Sequence, residues 1–133
     1  MIMASIFDIA GSAMNAQMLR LNTTASNMAN ADTVSSTEKG AYRARQTVFS
    51  TVMDNAAGGG VAVPRIVESE APVPKRYEPG NPMADADGYI YASNVNAVEE
   101  MANMISASRS YQANAEVFST TKSLMLRTLQ LGQ

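Results

Sequence analysis

Side chains able to carry out chemistry are few in this chain and poorly gathered. It has no histidine, no cysteine and no tryptophan. That removes thiol nucleophiles, imidazole acid–base groups and most transition-metal ligand sets. Asp85-Ala86-Asp87-Gly88 has the spacing of part of a calcium loop. With Gly88 at the sixth position, however, the first and twelfth fall on Met83 and Asn94, where calcium needs carboxylate oxygens. The segment reads as a solvated turn. Glu99 and Glu100 are adjacent, and adjacent helix positions point in different directions, so the two do not converge on one substrate. They suit the positive end of a helix dipole. Gly58-Gly59-Gly60 lacks the following Lys-Ser/Thr of a phosphate loop and precedes a strand pattern, so it reads as a flexible turn. These residues predict no catalytic group, no cofactor and no metal site, and the chain is not expected to be an enzyme.

Charge excludes further classes. The formal net charge is −2, which does not suit a partner dominated by phosphates. Arg43, Arg45, Arg65, Lys75 and Arg76, interleaved with Tyr42 and Tyr77, could line one basic face, but Glu68, Glu70 and Glu78 offset them. An outward polar strand face, or a contact with an acidic protein surface, fits better than nucleic acid. No apolar run approaches the roughly 20 residues needed to cross a bilayer, so direct membrane insertion is not expected. Met1 to Asp8 lacks a positively charged start, which argues against a cleaved secretory signal.

The elements that must position any site are two terminal helices. Residues 1–31 carry only Asp8 and Arg20 as charges, and residues 101–133 carry only Arg109, Glu116, Lys122 and Arg127. An isolated surface helix normally has a well-charged outer face. Here Asn, Ser, Thr, Gln and Ala stand in its place, a surface suited to cover by other protein. The first helix is predicted from about Ser5 to Asn30, with Ser5 and Asp8 as a capping box. Phe7, Ala10, Met14, Met18, Leu21, Ala25 and Met28 form a near-heptad seam with one stutter. Ile2, Ile6, Ile9, Ala13 and Ala16 form a second stripe, so the helix needs at least two neighbours. In the last helix Asn96 is the expected cap and Gly132 the expected stop. Ala97, Met101, Met104, Ser108, Tyr111, Ala115, Phe118, Lys122, Met125 and Leu129 keep a strict 4,3 spacing.

Between the helices the period changes. Asp32 to Gly40 reads as loop, Tyr42 to Val52 alternates as a strand, and Val61–Val63 with Ile66–Val67 reads as a second strand. Pro72, Pro74, Pro79 and Pro82 enforce an extended stretch, and Gly88 to Tyr91 suggests a last short strand. The expected fold is mainly α with a small β-rich insert. Two long terminal helices pair as an antiparallel coiled coil, with a hairpin-like region between them. The division is 1–31 for the N-terminal helix, 32–94 for the insert and 95–133 for the C-terminal helix. All methionines except Met53 and Met83 lie in the terminal segments, and their flexible thioethers let one seam pack against several neighbours.

Residue patterns also resemble a known family. Leu21-Asn-Thr-Thr-Ala-Ser-Asn27-Met-Ala-Asn30-Ala-Asp32 is similar to the N-terminal signature of bacterial flagellar rod and hook proteins. Further matches follow at Asp85–Tyr89, Ser93-Asn94-Val95-Asn96, Glu99-Glu100-Met101, Ser108–Asn114, Lys122–Met125 and Leu129–Gln133. The longer polar insert from Asp32 to Tyr42, where many members have Thr-Pro-Gly-Tyr, and the short middle point to the proximal-rod branch. The resemblance implies a structural subunit of the flagellar basal-body rod, part of a helical tube that transmits torque and encloses the export channel. It implies contacts with other rod proteins, with copies of the chain itself, and with the basal adapter and ring. It also implies passage through the flagellar type III export apparatus, without a cleaved signal, to the periplasm-spanning rod. The expected assembly interface is Phe7, Met14, Met18, Leu21, Asn27, Asn30, Met101, Met104, Tyr111, Asn114, Phe118, Met125 and Leu129. An export chaperone or adapter-type module using the same amphipathic helices is the alternative.

Overall fold

A computed structural model describes residues 2–54 and 58–132. In chain order the elements are α1 (Ile2–Ala29), β1 (Val34–Ser35), β2 (Arg45–Asp54), β3 (Gly58–Glu68), β4 (Lys75–Tyr77), β5 (Tyr89–Ala92) and α2 (Ala97–Leu131). Two helices thus flank a small antiparallel β region. Among the described residues no helix is long and apolar enough to cross a membrane.

α2 starts as its sequence predicts. Asn96 holds an extended backbone and its Oδ1 accepts from the amides of Val98 and Glu99, at 3.1 and 3.4 Å. Two otherwise orphaned donors are satisfied, and Glu99 and Glu100 occupy the first turn, where the dipole favours negative charge. Gly132 follows the last helical residue at φ −92°, so it ends the helix without the left-handed geometry of a glycine cap. α1 departs from expectation. It is already helical at Ile2 and has no acidic residue in its first turn, so the proposed capping box at Ser5 and Asp8 falls inside the helix. The side chains of Ile2 and Ser5 lie outside the described residues.

The helices lie side by side and run in opposite directions. The Phe7 and Phe118 rings meet edge to face with centroids 4.7 Å apart, and further along Arg20 Nη2 donates to Asn103 Oδ1 at 3.1 Å. In the same register Ile2 lies level with Ser123, five residues on from Phe118. α2 therefore runs past the start of α1 by about two turns. The seam between the helices is not the one the apolar spacing predicted. On α2 the buried positions are Glu100, Ala107 and Thr121. With half-buried Asn114 these form a seven-residue repeat shifted from the Met101-Ser108-Ala115 row. Small and polar side chains let the helices approach closely there, Phe7 and Phe118 meet at one end, and Met101, Leu124 and Leu129 are left exposed.

α1 has a second neighbour, the β2–β3 hairpin. Ser12 Oγ accepts from the Val61 amide at 3.1 Å, and Asn27 binds Arg45 further along α1. The hairpin therefore lies along the helix and does not stand away from it. A Cβ on Gly60 would come within 3.0 Å of Ser12 Oγ, so glycine permits this approach. The predicted turn at Gly58–Gly60 is instead the start of β3, and residues 55–57 lie outside the described residues. Between Val48 and Ser50 of β2 the partner positions jump from Arg65 to Ala62 of β3. The extra β3 residue makes a bulge at Pro64, where the missing N–H interrupts no regular ladder.

The remaining strands form a sheet in the order β1-β5-β4. β1 corrects the reading of 32–40 as pure loop: Val34 pairs with Ala92 and Ser35 with Tyr91. Central β5 buries Ile90 completely. The turn before it is closed by Asp85 Oδ1, which accepts from the amides of Asp87 and Tyr89 at 3.0 and 2.8 Å. Gly88 there has φ +83°, a conformation that disfavours other residues.

Candidate functional site

Two kinds of site emerge, one closing the chain on itself and one left open. The closed one is a polar joint where the end of α1, the start of α2 and the base of the hairpin meet. Asn27 is 1% exposed. Its Nδ2 donates to the Arg45 carbonyl at 2.8 Å, and its Oδ1 accepts from the Arg45 amide at 2.9 Å and from the Tyr42 hydroxyl at 3.0 Å. The side chain thus satisfies both backbone groups of Arg45, as a neighbouring strand would. Asn94 serves the adjoining residues: its Oδ1 accepts from the Ala44 amide at 2.7 Å, and its Nδ2 donates to the Ala71 carbonyl at 2.9 Å. Arg43 lies before β2, not on it, and donates to the Ser69 and Ala71 carbonyls.

Beside the joint, Arg20, Thr23, Thr24, Arg45, Glu99, Glu100 and Asn103 contribute to a cleft of about 360 Å³. Both signs of charge line it. Of the five cations that could have made a basic face, Arg43, Arg45, Lys75 and Arg76 are engaged locally. Arg45 pairs with Glu68 and Arg76 with Glu78, at 3.5 and 3.6 Å, and Lys75 Nζ sits 4.0 Å from the centre of the Tyr89 ring. This arrangement organises a surface. It does not gather a basic face.

The open site is apolar. Of the large hydrophobic side chains that remain exposed, ten lie on α2: Val98, Met101, Ile105, Val117, Phe118, Leu124, Met125, Leu126, Leu129 and Leu131. The last five cluster on the overhanging turns, where α1 offers no cover. Leu129 is 60% exposed and Leu131 is 89% exposed. A few singly exposed apolar residues are ordinary, but a contiguous group marks an interaction surface.

The structure sorts the expected interface residues. Met18, Met101, Phe118, Met125 and Leu129 are exposed, while Phe7, Met14, Leu21, Asn30, Met104, Tyr111 and Asn114 are half-buried. Phe7 and Phe118 meet within the chain. Asn30 and Asn114 donate back to the carbonyls of Ser26 and Ser110 on α1 and α2. Asn27 differs from the rest of the set. Buried, with its acceptor oxygen doubly used, it serves the chain's own joint and offers a neighbour almost nothing. Sequence reasoning did not foresee the contacts made by Ser12, Tyr42 and Asn94, and the apolar stripe passed over Val98, Ile105, Val117, Leu124, Leu126 and Leu131. The signal for Asn94 was its place just before a helix cap, within a run of amide and hydroxyl residues.

Two long low-charge helices with an uncovered apolar surface, joined through a small β insert, describe a subunit built to be assembled. Residues 7–34 match the family model described as flagella basal body rod protein, and residues 86–131 match the C-terminal model of the flagellar basal body rod FlgEFG proteins. The chain belongs to the family of bacterial flagellar basal-body rod proteins, which are structural subunits of the rod. It is 57% identical to the flagellar basal-body rod protein FlgC of Escherichia coli O157:H7 and 57% identical to that of Salmonella typhimurium, each over the full length of both chains. It is 33% identical to the FlgC of Borreliella burgdorferi, over 97% of each chain.

Proposed function

We propose that this subunit joins copies of itself and other rod subunits by head-to-tail contacts whose rotation does not close in one plane. Such contacts generate a helical tube. The tube encloses the export channel and transmits torque across the periplasm. Within it the terminal helices of each chain pair as an antiparallel coiled coil. The subunit sits in the proximal part of the rod, against the basal adapter and ring, after passing through the flagellar type III export apparatus without a cleaved signal.

The observation that carries this reading is the overhang of α2, whose last turns are apolar and uncovered. Covering one half-exposed Leu or Met contributes about 1 kcal/mol, so several together can offset the loss of freedom on association. The ends of α2 are also complementary. Exposed Glu99 stands at its start, and exposed Lys122 and Arg127 towards its finish. Opposite charges at opposite ends fix polarity and favour the joining of one chain's finish to the next chain's start. Met14, Met18, Leu21, Met101, Met104, Phe118, Met125 and Leu129 provide apolar burial at the contacts. Phe7 and Tyr111 support them, and Asn30 and Asn114 settle polar groups at the tight joints. Asn27 holds the insert in the place from which it meets neighbouring subunits.

Leu129→Asp tests this directly. The expected result is loss of motility and loss of the chain from detergent-extracted basal bodies, with circular dichroism of the purified chain unchanged. Normal swimming with the variant present in basal bodies at the wild-type level would overturn the reading. Retention of the wild-type chain in the cytoplasmic fraction would favour an export chaperone.

A further inference from the structure

We propose that oxidation at Met18, Met101 or Met125, three separate exposed positions on the two helices, decides whether a chain can enter the rod, an inference that rests on the assembly reading above. All three residues are exposed in the free chain: Met18 is 47% exposed, Met101 52% and Met125 43%. They belong to the helices that assembly would cover. The chain has no cysteine, so no thiol is available to react first, and an exposed thioether is its readiest target for a two-electron oxidant.

The step needs a hydroperoxide, here hydrogen peroxide. A lone pair on the methionine sulfur attacks one peroxide oxygen and the O–O bond breaks. That oxygen stays on sulfur as the sulfoxide, and the other leaves as water after proton transfer. Sulfur loses two electrons and the peroxide gains them. A flexible apolar contact becomes a polar group with a strong acceptor oxygen. In water that oxygen is solvated. Pressed into a seam of Leu, Met and Phe it has no donor, so binding is opposed where the thioether favoured it. Incorporation should fall at least tenfold for a chain oxidised at Met101 or Met125. Incorporated chains should be shielded by the same packing, so oxidation there reports on chains that have not yet been assembled.

Met83 provides an internal reference. It is 45% exposed but lies in the turn between β4 and β5, off both helices. The experiment uses motile cells lacking methionine sulfoxide reductases, with the chain pulse-labelled. Cells receive hydrogen peroxide, the peroxide is quenched with catalase, and assembly proceeds during a chase. Peptide mass spectrometry then compares sulfoxide in the unassembled pool and in isolated basal bodies. The expected result is at least tenfold depletion of sulfoxide at Met18, Met101 and Met125 among incorporated chains, with Met83 sulfoxide equal in both pools. Equal occupancy at all four positions would overturn the proposal.

A second measurement separates this from failure of the assembly reading. Untreated basal bodies are exposed to peroxide after isolation. Slow oxidation of Met18, Met101 and Met125 relative to Met83 shows that the seam is covered. Oxidation as fast as that of Met83 would remove the covered seam, and the present inference with it.

Discussion

The carboxamide of Asn27 has one acceptor oxygen and two N–H donors, and the fold uses it to finish the edge of a strand. The backbone amide and carbonyl of Arg45 both end on it, and the Tyr42 hydroxyl completes the acceptor's coordination. Removing the amide leaves the Arg45 amide and carbonyl without partners in a part-buried place, at up to about 1–3 kcal/mol for each unsatisfied group. Asn27→Ala should therefore lower the unfolding free energy by about 2–4 kcal/mol on that basis. Tyr42→Phe removes the hydroxyl's contacts with Asn27 and Ser26 and leaves the Arg45 groups served, so it should cost about 0.5–1.5 kcal/mol. Urea unfolding followed by circular dichroism measures both, and equal losses would show that Asn27 is not the centre of the joint. Met101 and Leu129 are the opposite case, since both stand exposed in the isolated chain.

At the scale of elements, the seam between α1 and α2 is made largely by small and polar side chains, with the Phe7–Phe118 contact at one end, and this explains what the sequence did and did not disclose. The helices, the Asn96 cap and the β-rich middle were legible because period and capping chemistry are local, whereas the capping box read at Ser5 and Asp8 falls inside α1. The partner of each helix face was not. The 4,3 row through Met101, Met104, Tyr111 and Phe118 looked like a single seam. The chain instead places the Glu100, Ala107, Asn114 and Thr121 row at the helix pair and leaves Met101 outside. Hydrophobic patterning reports which side chains must eventually leave water, and not whether the same chain or another will cover them. The lie of the hairpin was hidden for a different reason, because a serine hydroxyl and an asparagine amide fasten it to α1 and leave no apolar signature. Ala107, fully buried, tests the seam. Ala107→Leu must push the helices apart and should destabilise the free chain by about 1–3 kcal/mol. A melting temperature equal to wild type would show that the helices do not pack there.

The whole molecule divides its labour between a polar joint that holds one chain together and an apolar surface unfinished in that chain alone. The joint sets the directions of α1, α2 and the hairpin, and so fixes the geometry with which the open surface is presented. This division suits a rod subunit, which must keep its shape while exchanging solvent for neighbours. The overhang of α2 is central to it. A density map of an intact basal body, traced through residues 97–131 of this chain, tests the claim most directly. The account predicts that Leu124, Leu126, Leu129 and Leu131 lie against side chains of adjacent subunits. Finding those turns surrounded by solvent in the assembled rod would contradict it.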